Sequence, residues 1–231
     1  MGMRRTLYVI FGAALIGAGW FYFAQSAVPE PLPLVANDTI TSWEFSGSHN
    51  DNGPLEEKVR ADITKLKDLL GSETFTDYEL FISIAQKYES LGDGKKTYEY
   101  LSRALEVDST LTGLAWHNLA VLLARLGAPN TARIAYEKAA TIQPFPSYQS
   151  AYLSFLTTAF PDDREGIEAA FTKAIEATGS YPHILRIRAS WLADSGRVTE
   201  ALAEWSKILP QVTPDEQADI RAEIERLQTG V

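Results

Sequence analysis

The strongest constraint on this chain is an internal repeat. Leu101, Tyr136 and Phe171 stand 35 residues apart, and so do Ala104, Ala139 and Ala174. Gly92 and Gly127 share that spacing, each after a leucine, in ESLGD and ARLGA. A fourth unit follows at 34 residues, with Gly196, Ala201, Trp205 and Ile208. A period of roughly 20–50 residues marks an architecture of stacked supersecondary units. Each unit reads as two amphipathic helices. The first runs up to the glycine, which tolerates the left-handed conformation of a helix C-terminal cap. The second carries a large apolar residue and then a small one, so that two helix backbones can approach. One such hairpin cannot bury its own apolar face, but stacked neighbours bury it for one another.

Two further helices flank the repeats. From Pro54 to Leu70, the residues Leu55, Val59, Ile63, Leu66 and Leu70 share one face, with a proline suited to the first turn and Gly71 past the end. Leu66 and Leu69 fall 35 residues before Leu101 and Ala104, so this helix is in register as a half-repeat. At the other end, Thr213 and Glu216 form a capping box around Pro214. The charged helix to about Leu227 suits a solubilising end cap.

Trp116, Leu119, Ala120, Leu123, Gly127, Ala132, Tyr136, Ala139 and Pro144 together resemble the tetratricopeptide repeat, or TPR. Here Leu123 replaces the family's usual tyrosine and Ala120 its glycine. Residues 78–112 fit through Phe81, Ala85, Tyr88, Gly92, Leu101 and Ala104, and depart at Thr97 and Ser109. Residues 182–215 fit through Leu185, Ala189, Leu192, Gly196, Ala201 and Trp205. Residues 148–181 are degenerate: Phe155 stands where a small residue is expected, and Asp162 replaces the glycine. The resemblance implies an all-α, TPR-like right-handed superhelix of helical hairpins over residues 54–231. It comprises four repeats, the N-terminal half-repeat and the C-terminal capping helix.

Residues 1–25 read differently. Arg4 and Arg5 precede an uncharged run from Leu7 to Ala24. Eighteen residues at 1.5 Å rise span roughly 27 Å, close to the hydrocarbon thickness of a bilayer. Trp20 and Tyr22 lie near the far end, where amphipathic rings favour headgroups. The expectation is one transmembrane helix preceding the repeats, with residues 6–24 in contact with the membrane. Basic residues before the run and Glu30 and Asp38 after it place the N-terminus in the cytoplasm and the repeats outside it, on a single-pass inner-membrane protein. The alternative is a signal peptide with Ala24 and Ser26 as its small-x-small cleavage site, giving a secreted or periplasmic protein. Residues 26–53 lack helical period and are proline-punctuated in VPEPLPLV. They read as a flexible linker, or equally as a short strand or loop docked through Trp43 and Phe45. Asn37-Asp38-Thr39 fits a glycosylation sequon.

Chemistry is not evident. The absence of cysteine excludes disulfides, Cys-type zinc sites and thiol catalysis. A net charge of −9 disfavours nucleic acid. His49, His117 and His183 have no metal-ligand spacing. Gly92–Thr97, GDGKKT, lacks the first glycine of a phosphate loop and follows a helix rather than a strand, so it reads as a hairpin turn. Asp162, Asp163 and Glu165 suit a helix N-terminus and have no EF-hand spacing. No catalytic residues, cofactor or metal are therefore expected.

In the resembled family the first helix of each repeat lines a concave groove that takes an extended peptide or a helix. Carried over by position, this groove would present Gln86, His117, Asn118, Arg125, Tyr152, Leu156 and Arg186, with Ile82, Glu89, Val121, Phe160 and Ser190 beside them. For Tyr152, Leu156 and Phe160 the alternative is packing between hairpins. One TPR subclass grips a C-terminal carboxylate through basic residues, but Ile82 and Leu153 stand where those are needed and only Asn118 fits. The functional expectation is a membrane-tethered, protein-binding scaffold or adaptor, chaperone-like, in envelope protein assembly. The alternative is a structural component that self-assembles as a homo-oligomer.

Overall fold

The computed structural model describes residues 32–230. Helices α1 (Pro54–Asp68), α2 (Asp77–Ser90), α3 (Gly94–Val107), α4 (Leu114–Arg125) and α5 (Pro129–Ile142) are followed by α6 (Pro146–Ala159), α7 (Arg164–Thr178), α8 (Pro182–Asp194), α9 (Val198–Ile208) and α10 (Pro214–Thr229). Pairs α2/α3, α4/α5, α6/α7 and α8/α9 are the four hairpins, with α1 as the half-repeat and α10 as the cap. Local chemistry sets their ends. Proline opens α1, α5, α6, α8 and α10, where its missing N–H costs no hydrogen bond. Thr76 and Glu79 form a capping box on α2, and the Asp93 carboxylate accepts the Lys96 N–H at 2.9 Å on α3.

The repeat landmarks form the core. Leu101, Ala104, Ala139, Phe171, Ala174 and Ile208 are at most 1% exposed. Helices within the first, second and fourth hairpins pack closely along their lengths. The third hairpin does not: α6 and α7 touch less, and α7 also touches α8 little, while α6 reaches α8 directly.

The stretch expected as linker is largely docked. Residues 32–50 form a strap across the turns of the first two hairpins. The Phe45 N–H donates to the Gly92 carbonyl at 3.1 Å, the Gly94 N–H to Trp43 at 2.8 Å, and the His49 N–H to Ser90 at 2.8 Å. Glu44 and Asp93 form an isolated antiparallel bridge. Trp43 meets Tyr98 edge-on at 5.4 Å, Arg125 covers the Phe45 ring at 4.8 Å, and Tyr98 donates to the Leu32 carbonyl at 3.3 Å. Of the two sequence readings, tether or docked loop, these contacts are those of a docked loop.

The single-pass membrane placement is corrected. Among the described residues no helix is long and apolar enough to cross a membrane. The run on which that placement rested, residues 7–24, lies outside the described residues, as does the alternative cleavage site at Ala24 and Ser26.

Candidate functional site

The expected groove residues lie on the first helices of the hairpins, α2, α4, α6 and α8. On α2, Gln86 is exposed, whereas Ile82 is only 5% exposed and belongs to the core. Glu89 pairs with Arg125 of α4 at 3.0 Å. Arg125 is thereby held between Glu89 and the strap's Phe45, at the rim near the hairpin turns. Val121 is half-buried beside them.

His117 and Asn118 sit in the first turns of α4. The His117 ring lies 5.1 Å from Tyr148 of α6 and 5.9 Å from Tyr136 of α5. Burial holds this imidazole below its ordinary pKa, because charging it between two rings loses hydration. His117 Nδ1 and Asn118 Nδ2 are both shielded from solvent and have no hydrogen-bond partner within the described residues. Unspent polar groups of this kind carry a desolvation cost until a partner satisfies them.

In the third repeat the burial fits packing between hairpins, the second of the two readings for Tyr152 and Leu156. Leu156 is fully buried and Tyr152 is 8% exposed, so neither lines an open groove. The reason is register. Trp116, Leu119, Ala120 and Leu123, the core face of α4, are matched by Gln149, Tyr152, Leu153 and Leu156, which lie 33 residues later rather than 35. The connection into α6 is only Gln143–Phe145, whereas that into α4 runs Asp108–Gly113. The turn out of α6, Phe160–Asp163, is one residue longer than the corresponding three-residue turns and helps restore the register of α7. At the corrected spacing, the equivalents of Asn118, Val121 and Arg125 are Ala151, Ser154 and Thr158, and the last two are exposed. Ser154 and Thr158 lie outside the expected set. Pro146, which fixes an early helix start, was the available signal.

Tyr152 instead borders a cleft of about 180 Å³ between α5 and α7, lined also by Arg133, Glu137, Gly166, Ala169 and Lys173. Arg133 pairs with Asp163 at 2.7 Å and lies over Phe160, 5.3 Å from its ring centre. Phe160 thus belongs to this ion-pair cluster rather than to a groove. On α8, Arg186 pairs with Glu216 of α10 at 2.9 Å, while Ser190 is exposed. The expected set therefore does not converge: Gln86 and Ser190 are exposed, His117 and Asn118 are half-buried on α4, Arg125 and Arg186 are held in ion pairs, and Tyr152 and Leu156 are buried. Among the described residues no group of three or more histidines or carboxylates is placed to hold a metal ion.

The chain is similar to the crystal structure of MamA, with a TM-score of 0.53 and 15% identity, covering 73% of this chain and 96% of that one. The fold is a TPR-like helical repeat. No family model and no curated protein sequence matches the chain.

Proposed function

We propose that the protein is a scaffold that holds a polypeptide segment along its inner face, centred on α4. The observation that carries this reading is the pair of shielded, unsatisfied groups His117 Nδ1 and Asn118 Nδ2 on α4, with the exposed side chains Gln86 and Ser154 on the neighbouring helices α2 and α6. A bound main chain offers both donors and acceptors at every residue, and these two groups reach it by turning their side chains outward. The neutral state of His117 keeps its ring nitrogens able to serve as one donor and one acceptor. Arg125 and Arg186, already paired, set the polar margins of the surface.

Photocrosslinking on the full chain tests this. A photoreactive residue at Ser154 or Gln86 should yield discrete adducts with a polypeptide partner, and one at Glu137, on the opposite side, should not. Asn118→Ala should weaken those adducts about five- to tenfold, the cost of one buried hydrogen bond to a partner. Equal labelling from both faces would count against the groove.

A further inference from the structure

The edge of the stack opposite the strap carries a ladder. Phe75, Leu111, Phe145 and Tyr181 fall 36, 34 and 36 residues apart, each in the connection that leads into the next repeat. Because the helices alternate in direction, all these connections lie along one edge. The side chains are 49%, 77%, 54% and 45% exposed. Val107 and Leu114 flank Leu111 and are also exposed, so six of the eight large exposed apolar residues among the described ones gather here. Single exposed apolar residues are ordinary, but one per repeat along one edge is a patterned surface.

Packing onto the following helix accounts for only part of this. An apolar residue ahead of a helix often staples onto its first turns. Phe145 does stack on Tyr148, with ring centres 5.9 Å apart, yet over half of it remains open to solvent. Leu111 is held outward by its own turn, in which the Asp108 carboxylate accepts the Thr110 and Leu111 N–H groups.

Charge indicates what covers the ladder. The five connections at this edge, 69–76, 108–113, 143–145, 179–181 and 209–213, contain Glu73 and Asp108 and not one lysine or arginine. Asp68, Glu106 and Glu176 add exposed carboxylates at the adjoining helix ends. The nearest lysines are engaged: Lys67 with the Tyr88 hydroxyl at 2.9 Å, Lys207 with Glu204 at 2.9 Å, Lys65 with Asp62 at 3.7 Å, and Lys138 over Trp116 at 4.8 Å. We infer that this edge is a second docking surface, whose occupant is a polypeptide segment combining large apolar side chains with lysines or arginines. Apolar rungs supply contact area, and the acidic rim selects the sign of the partner. This inference stands apart from the inner-face reading and uses none of its residues.

The test titrates the full chain with a fluorescent amphipathic peptide of leucine and lysine, read by anisotropy. A peptide of the same pattern with glutamate for lysine is the control. The lysine peptide should bind, more weakly as salt rises, and the glutamate peptide should not. Substituting Phe75, Leu111, Phe145 and Tyr181 together by serine should weaken binding by about tenfold or more. Glu73→Lys with Glu106→Lys leaves the apolar rungs intact and should weaken it by about the same factor even if the serine variant folds poorly. Asn118→Ala should leave it unchanged. Equal binding of both peptides overturns the proposal, and so does loss caused by Asn118→Ala alone. It is equally overturned if the serine variant changes only self-association, or if the edge binds anionic lipid vesicles but not the peptide.

Discussion

Alanine in place of glycine ordinarily stabilises a compatible position by about 0.4–1 kcal/mol, by narrowing the unfolded ensemble. At Gly94 the sign should reverse. A Cβ there would collide with the Trp43 carbonyl of the strap and press on the Phe45 ring. Gly92 is constrained twice, by a φ of +76° and by the Phe45 carbonyl. Gly127 and Gly196 have the same positive φ but open space around them. The GDG of the first turn is therefore the imprint of a chain laid against it. Gly94→Ala should destabilise the protein by about 1–3 kcal/mol in urea unfolding, as strain and overpacking do. A stabilised variant would mean that the strap does not dock. Asp38 is the second residue on which the strap depends. Its carboxylate accepts from the N–H groups of Asn130 (3.2 Å) and Thr131 (2.6 Å) and from both their side chains, capping α5 where Ala128 cannot. Burial pushes its pKa up, but the hydrogen bonds from Thr131 and Asn130 outweigh this and hold it below the ordinary carboxylate value. A depressed folded pKa means stability that is full above the unfolded value, about 3.9, and lost as pH falls through the folded one. Asp38→Ala should thus cost about 0.5–2 kcal/mol at neutral pH. The gap from wild type should close below about pH 4. A gap independent of pH down to acid unfolding would rule out the carboxylate as its source.

Helix elements were legible where local chemistry is strong. Periodic apolar residues, starting prolines and the capping boxes placed α1 and α10 and the regular hairpins, because these signals act within a few residues. The strap was legible only as one of two options. Its contacts join Val35 to Thr131 and Asp38 to Asn130 across more than ninety residues, and no local pattern in VPEPLPLV encodes them. The register of α6 was misjudged because the apolar landmarks of α7 keep the 35-residue period while a short connection moves α6 ahead of it. The burial of Tyr152 and Leu156 fits the packed one of their two readings, and the exposed Ser154 and Thr158 lie outside the expected set. The same shift loosens the element that follows. A cleft separates α7 from α5, and Arg133–Asp163 and Lys173–Glu137 bridge it by ion pairs rather than apolar packing. Exposed ion pairs contribute little, about 0–1 kcal/mol each. Amides of α7 should exchange with deuterium faster than those of α5, although both are second helices of their hairpins. Equal protection would show that the cleft does not weaken the stack.

In the whole molecule each hairpin touches mainly its neighbours, so stability is close to a sum over repeats and interfaces. That sum is uneven. The strap ties the first two hairpins together over long sequence separations, and one apolar cluster runs from Leu32 through to Ala201. A second, smaller cluster of Leu185, Ala189, Trp205, Ile208 and Ile220 joins α8, α9 and α10. Helix α7 contributes Ile167, Phe171 and Ala174 to the larger cluster but touches its hairpin partner α6 and the following α8 least, so the stack is weakest there. Denaturant should therefore separate them, with the C-terminal block opening first and the strapped hairpins later, so that a single two-state fit fails. Ile208 and Leu119 are both 0% exposed, one in each block. Truncating either to alanine should remove about 2–5 kcal/mol, but from different transitions. Ile208→Ala should lower only the first midpoint, and Leu119→Ala only the second, when hydrogen exchange follows segments 182–229 and 77–142 at increasing denaturant. Both segments losing protection together in both variants would show that the weak third hairpin transmits cooperativity, and that the stack unfolds as one unit.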